Sequence, residues 1–158
     1  MLRWILDFLK EQLKSLEKSL KELLQKTSYH KKVQILKTHP GVGPTIAGQF
    51  VTEIFNPKRF KDKTEIAKYV GLAPHIIQSG QTKRAGPITK TGRPSLRCSL
   101  VEAAWIWVRN DQYAYKTYCR LRANTGHQNK AIIAMARKLA INLWKMLCDQ
   151  KPYQPQTC

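Results

Sequence analysis

The sequence predicts a mostly α-helical domain, preceded by a coiled-coil helix and interrupted by one basic irregular loop or small hairpin. Three observations carry this reading. Leu2, Leu6, Leu9, Leu13, Leu16, Leu20 and Leu23 recur at alternating steps of four and three, the heptad signature of a helix with one apolar seam. Apolar stripes at helical spacing return after residue 95, with Leu96, Leu100, Ala103, Ala104, Trp107 and Val108 in one segment and Ile132, Ala136, Leu139, Ala140, Leu143 and Leu147 in another. Between these regions, Gly71 to Arg97 gathers the glycines and prolines that stop regular structure.

In chain order, residues 1–28 form the coiled-coil or linker helix, 29–150 the main domain and 151–158 a flexible tail. Along the first helix Glu17 to Lys21 and Glu22 to Lys26 are favourable i,i+4 pairs on a solvated face. A dimerising coiled coil and a long helix folded back on its own domain are equally compatible with so few heptads. Residues 33–51 then read as helix, tight turn, helix. Pro40-Gly41-Val42-Gly43, with Ala47 following, has the form of a helix-hairpin-helix, whose glycines allow a close backbone approach and whose second helix offers free N–H groups to a phosphate. Gly41, Val42, Gly43 and Thr45 are therefore candidate DNA-backbone contacts; the competing reading is a plain helical hairpin in which the glycines cap and turn. Lys63 to Val70 fits a short helix, with Thr64 as N-cap and Gly71 as its stop. Ile76-Ile77 can pair with the region near Ile88 as a small hairpin. Helices follow from Ser95, from Tyr113 to Ala123 with a stop at Asn124-Thr-Gly126, and from Asn129 to Cys148; Pro152 and Pro155 lie in the tail.

Charge limits the partners. Twenty-eight Lys and Arg against ten Asp and Glu leave +18, a self-repulsion that a polyanion such as nucleic acid would relieve. Between Ile66 and Val101 there is no carboxylate, while Lys68, Lys83, Arg84, Lys90, Arg93 and Arg97 all occur there. Cys98, Cys119, Cys148 and Cys158 are too far apart for a structural zinc site and read as reduced thiols. Asp7 and Lys10 break the N-terminal apolar run before it could act as a signal segment, and no run reaches membrane-spanning length, so a cytoplasmic protein without a membrane partner is expected.

Two-metal nuclease chemistry needs several carboxylates converging on one spot. Four of the ten acids sit on the leucine-seam helix and the other six are scattered. Covalent phosphoryl transfer asks instead for a nucleophile among cations. Ser79 lies near Lys83, Arg84, Lys90, Arg93 and Arg97, which could clamp non-bridging oxygens, although Ser79-Gly80 is equally an ordinary turn dipeptide. Tyr113, Tyr115 and Tyr118 read as packing residues, and His39, His75 and His127 as isolated surface or turn histidines.

Taken together, Leu36 to Ala47, Phe60, Ala67 to Pro74, Gln78 to Gly80, Gly86 to Gly92, Leu96-Arg97 and Ala103-Ala104 resemble the C-terminal transposase domain of the "IS one-ten" insertion-sequence family, the DEDD transposases described as bridge-RNA-guided recombinases. The resemblance covers about Lys32 to Asp149. It implies that Ser79 is a nucleophile that becomes covalently attached to DNA, that Gly41 to Gly43 hold backbone, and that Lys90 and Arg97 lie near the phosphate. It also implies DNA as partner, a guide (bridge) RNA, and a homo-oligomer formed through the N-terminal helix. In that family a RuvC-like domain with four acids precedes the coiled coil; this chain lacks it, and Met1 falls within the distal arm of the linker helix. No cofactor is expected in this chain, Mg2+ being expected only with the missing RuvC-like domain, and autonomous recombination is not expected. The alternative is a non-enzymatic nucleic-acid-binding remnant that uses the helix-hairpin-helix and basic loop.

Overall fold

The computed structural model of the chain describes residues 2–26, 29–79 and 82–155, with side chains throughout except for Leu24, Lys26 and residues 77–85. Seven helices and one two-stranded hairpin follow in the order α1 (Leu2–Lys26), α2 (His30–Lys37), α3 (Pro44–Ile54), a 3₁₀ turn at Pro57–Arg59, α4 (Lys63–Tyr69), β1 (Pro74–Ser79), β2 (Thr82–Ile88), α5 (Pro94–Asn110), α6 (Gln112–Thr125) and α7 (Gln128–Asp149). The mostly α architecture is as the periodicities predict.

Local chemistry sets most of the boundaries. Pro44 and Pro94 open α3 and α5 at positions where a missing N–H costs nothing. Asp111 caps α6 by accepting from the Ala114 amide at 2.8 Å, and Gly126 ends it in the left-handed region at φ 67°. The N-cap of α4 is Asp62 and not Thr64: its carboxylate accepts from the amides of Thr64 and Glu65 at 2.7 and 2.9 Å. A carboxylate two residues earlier reaches both free amides, and it complements the helix dipole as a hydroxyl does not.

α7 is the spine of the domain. It buries Ala131, Ile132, Met135, Ala136, Leu139, Ala140 and Leu143 and packs against α5, α6, α4 and α2. Trp107 of α5 is fully buried in this core, whereas Trp105 is half-buried at its edge, tilted against Tyr118 at 5.7 Å; two residues turn the helix by about 200°, which puts the two rings on different faces as the sequence suggests. Cys98 and Cys119 are exposed on their helices and Cys148 is half-buried, all three as free thiols.

Two features depart from expectation. His39 sits in the turn between α2 and α3 but is only 1% exposed, with its ring 4.9 Å from Trp107 and 4.2 Å from Tyr153. The start of the expected tail is docked: the Tyr153 amide donates to Thr38 Oγ1 at 2.8 Å, its hydroxyl donates to Asp111 Oδ2 at 2.8 Å, and Trp107 Nε1 donates to that hydroxyl at 3.2 Å. A tyrosine can bury its ring while satisfying its hydroxyl, which the flanking prolines alone do not reveal.

α1 leaves the domain with its seam uncovered. Leu2, Leu6, Leu9, Leu13, Leu16 and Leu23 are all exposed, Leu20 is half-buried, and among the described residues the helix meets chiefly α2 and α3. Within this chain the helix does not fold back onto its own core.

Phe55 closes α3 with φ 52° and ψ −68° and is 65% exposed. A Cβ is unfavourable at positive φ, and little ring burial offsets it here. Phe55→Gly is expected to raise stability by about 0.5–1 kcal/mol, seen as a higher urea midpoint; an unchanged or lower midpoint would show that the contact between Phe55 and Tyr29 outweighs the strain.

Candidate nucleic-acid interface

The basic segment is held by a clasp between two turns. Gly71 follows α4 at φ 72°, and Gly92 precedes α5 at φ 77°. Each sits against the other's neighbour: a Cβ on Gly71 would lie 2.2 Å from the Thr91 carbonyl oxygen, and one on Gly92 would lie 2.2 Å from that of Tyr69. No L side chain fits either place, so the backbones touch directly. Across the contact, Lys90 N donates to Gly71 O at 3.2 Å, Thr89 N to Ala73 O at 2.9 Å, and Thr91 Oγ1 to Lys68 O at 2.8 Å. Gly71 O and Ala73 O lie just past α4, while Lys68 O, in its last turn, also accepts from Gly71 N at 2.9 Å.

Arg97, in the first turn of α5, completes the clasp. One guanidinium nitrogen, Nη1, donates to the carbonyls of Lys90, Thr91 and Gly92 at 3.0, 3.0 and 2.9 Å. That turn places Lys90 at φ 54° with its side chain exposed. Arg93 is 74% exposed and pairs with Glu53 at 3.0 Å, a surface pair of small net value. Gln49 Nε2 donates to Ser95 Oγ at 3.2 Å, tying α3 to the start of α5.

From this base the hairpin projects. Pro74 pairs with Ile88, Ile76 with Ala85, Ile77 with Arg84, Gln78 with Lys83 and Ser79 with Thr82. The expected strand at Ile76-Ile77 is present, with partners three to four residues earlier than Ile88. A bulge falls between the first two pairs, where Gly86-Pro87 supplies the extra residue, as suits a proline without an N–H. Ser79 thus belongs to the outermost described backbone pair, with Lys83 and Arg84 just beyond the turn on the returning strand.

The α2–α3 turn is a separate feature. Gly41, at φ 87°, faces inward: its missing Cβ would stand 2.4 Å from the Ala103 carbonyl oxygen of α5 and 3.0 Å from Trp107 N. Val42 is buried. Gly43 and Thr45 lie outside, Gly43 in extended backbone with open space where a Cβ would project. The start of α3 adjoins α1 across a cleft of about 240 Å³ lined by Glu17, Leu20, Lys21, Pro44 and Thr45. Along α5 the helix rises about 12 Å from Ser95, near the clasp, to Ala103, against which Gly41 packs.

Sequence reading overlooked Arg59. Its guanidinium lies over the rings of Phe60 and Tyr69, 4.6 and 4.5 Å from their centroids, while Arg59 Nη2 and the Tyr69 hydroxyl both donate to Glu53 O, at 3.4 and 3.1 Å. Basic and aromatic residues interleaved at Lys58-Arg59-Phe60 were the available signal. Among the described residues no three His, Cys, Asp or Glu side chains gather, and no described helix is long and apolar enough to cross a membrane.

Comparison with known proteins bears on this arrangement. A family model described as "Transposase IS116/IS110/IS902 family" matches residues 33–120, which span α2 to most of α6 and include the clasp and hairpin. The chain is 34% identical over 110 residues to the "Putative transposase y4rJ" of Sinorhizobium fredii, covering 66% of this chain and 28% of the relative. It is 29% identical over 160 residues to the "Probable family 20 transposase" of Pseudomonas aeruginosa, covering 96% and 47%. With the "Pilin gene-inverting protein" of Moraxella bovis it shares 28% identity over 133 residues, covering 81% and 38%. The chain thus spans between about a quarter and a half of the length of these relatives.

Proposed function

Because this chain belongs to the IS116/IS110/IS902 transposase family, we propose that it is the DNA-binding, serine-bearing part of an insertion-sequence recombinase, with Ser79 as nucleophile. The Ser79 hydroxyl attacks a backbone phosphorus and gives up its proton to a base; a phosphoserine ester forms as the bond from phosphorus to one deoxyribose oxygen breaks, and that oxygen takes up a proton. The diester's energy is conserved in the new ester, so the strand can be rejoined by the reverse step. A RuvC-like acidic domain would cooperate in this chemistry, and a guide RNA would choose the sequences joined; neither role is supplied by the present residues.

The single observation that carries the reading is the clasp. It fixes the base of the Ser79 hairpin to the ends of two helices, and a nucleophile needs such a rigid mount. Within the cationic set, roles divide. Lys83, Arg84, Lys90 and Arg93 serve the phosphates, while Arg97 is committed to three carbonyls and shapes the loop that presents Lys90. Gly43 and Thr45, at the start of α3, add a backbone contact that positions DNA without reading sequence. The relative named for inverting a pilin gene is consistent with strand exchange. α1 joins copies of the chain through its uncovered leucine seam.

Ser79→Ala, tested with the RuvC-like domain supplied, is expected to bind labelled DNA within about twofold of wild type, since one hydroxyl adds little to a phosphate-dominated affinity, and to give no protein–DNA adduct on a denaturing gel. An adduct that survives the substitution removes Ser79 as nucleophile. A second reading, binding without chemistry, is favoured by the scarcity of clustered carboxylates; it is distinguished by salt-steep DNA affinity with no adduct in the wild type.

A further inference from the structure

The charges along α1 define which way two copies can meet. With Leu9, Leu16 and Leu23 at heptad position d and Leu6, Leu13 and Leu20 at a, position e holds Arg3, Lys10, Glu17 and Leu24 while g holds Ile5, Gln12, Ser19 and Lys26. In a parallel pair each g residue faces the e residue five places on, which sets Ile5 against Lys10 and Gln12 against Glu17 and makes no ion pair. In an antiparallel pair e faces e. With Leu13 layered on Leu16 of the second copy, all six leucines from Leu6 to Leu23 fall into register, and Lys10 of each copy meets Glu17 of the other.

A second observation agrees. Beside the charged pair of positions Arg3 and Asp7, the first two turns of α1 carry a second apolar face: Trp4 and Phe8, 72% and 49% exposed, lie against each other at 6.0 Å on the face away from the leucine seam. Two exposed aromatic rings opposite the seam call for cover that a partner helix on the seam does not give. Near Leu20, α1 adjoins α3 of its own domain. The antiparallel register layers Leu9 on Leu20 of the second copy and so brings the Trp4 end beside that copy's domain. In a parallel pair the same end stands about 24 Å along the helix from Leu20 and meets neither domain.

We propose that α1 forms an antiparallel, two-fold pair with α1 of a second copy of this chain, centred between Leu13 and Leu16, with two Lys10–Glu17 ion pairs and with Trp4 and Phe8 seated against the opposite domain. It rests on the reading of α1 as the helix that joins copies.

The test uses the full 158-residue chain and sedimentation equilibrium. Lys10 and Glu17 are exposed, so reversing either leaves the fold intact. Lys10→Glu or Glu17→Lys alone is expected to raise the dimer Kd about tenfold, from two attractive pairs turned repulsive, and the double exchange to return it to within about threefold of wild type. In a background where Cys98, Cys119, Cys148 and Cys158 are serine, Leu13→Cys mixed with Leu16→Cys is expected to give the mixed disulfide. If each cysteine variant instead links to itself and the charge reversals leave Kd unchanged, the pair is parallel: this proposal falls and the homo-oligomer reading stands. A chain that stays monomeric at all concentrations overturns both.

Discussion

Gly41→Ala is expected to lower stability by about 2–4 kcal/mol, while Gly43→Ala, two residues away, changes it by less than about 0.5 kcal/mol. The contrast follows from where the missing side chains would point. At Gly41 the backbone is left-handed at φ 87°, and an added Cβ would collide with the Ala103 carbonyl oxygen at 2.4 Å. That oxygen belongs to α5, whose Ala103, Ala104 and Trp107 are buried in the core, so neither side can yield cheaply. At Gly43 the backbone is already extended at φ −83° and the space is empty. Urea unfolding of the two variants measures the difference directly. Equal losses would mean that the turn, and not the packing on α5, sets the requirement. DNA binding separates the two further: if Gly43 and not Gly41 lies against phosphate, Gly43 to a bulky residue weakens binding with the fold intact.

The second large effect is of pH on stability. His39 Nδ1 faces Pro40 O at 2.9 Å; a carbonyl only accepts, so Nδ1 carries the proton and Nε2 is left with a lone pair. That Nε2 is buried without a hydrogen-bond partner, so protonating it would strand a charge and a donor in the core. Burial accordingly drives the His39 pKa from 6.5 to about 4, against smaller opposing contributions from the Pro40 hydrogen bond and the Asp111 charge. The sign follows from linkage: between these two values the unfolded chain binds a proton that the folded chain refuses. The His39 contribution is therefore constant above pH 6.5 and lost as pH drops toward 4, lowering stability by about 3 kcal/mol over the window. Asp62, held below the usual carboxylate range by the amides of Glu65 and then Thr64, acts with the same sign only as pH falls below its unfolded value of 3.8. His39→Phe keeps a ring between Trp107 and Tyr153 and removes the titrating group. It is expected to flatten the dependence between pH 6.5 and 4 while staying within about 1 kcal/mol of wild type at pH 7, because the lost Pro40 bond is offset by removal of the orphaned nitrogen. An undiminished slope in this variant would assign the acid sensitivity elsewhere.

The helices were legible because a buried face repeats at 3.6 residues, and Leu96 to Val108 and Ile132 to Leu147 keep that repeat without interruption. The leucine seam of α1 was equally plain, since its period does not depend on what covers it. The site was legible in part. The density of cations, the absence of acids and the order of motifs marked Gly71 to Arg97, but the same cations take different roles in the folded chain. Arg97 is bound to three carbonyls, Arg93 leans on Glu53, and Lys90 is presented by a turn that Arg97 holds. Arg59 went unnoticed because its partners, Phe60, Tyr69 and Glu53 O, converge only when α3 and α4 are in place.

The sequence by itself determined the helical class, the breaks between helices, the leucine seam and the basic segment, all of which depend on neighbours a few residues away along the chain; that the seam is uncovered was decided by the tertiary structure. Tertiary structure alone decided that Gly41 packs on α5, that Gly71 and Gly92 lock two turns together, that His39 is buried and that Tyr153 is docked. Each of these is a contact between stretches far apart in sequence, such as Thr91 with Lys68 across 23 residues or Tyr153 with Thr38 across 115. A residue's type records what it can do; only the packing of distant segments determines which backbone, ring or carbonyl it meets.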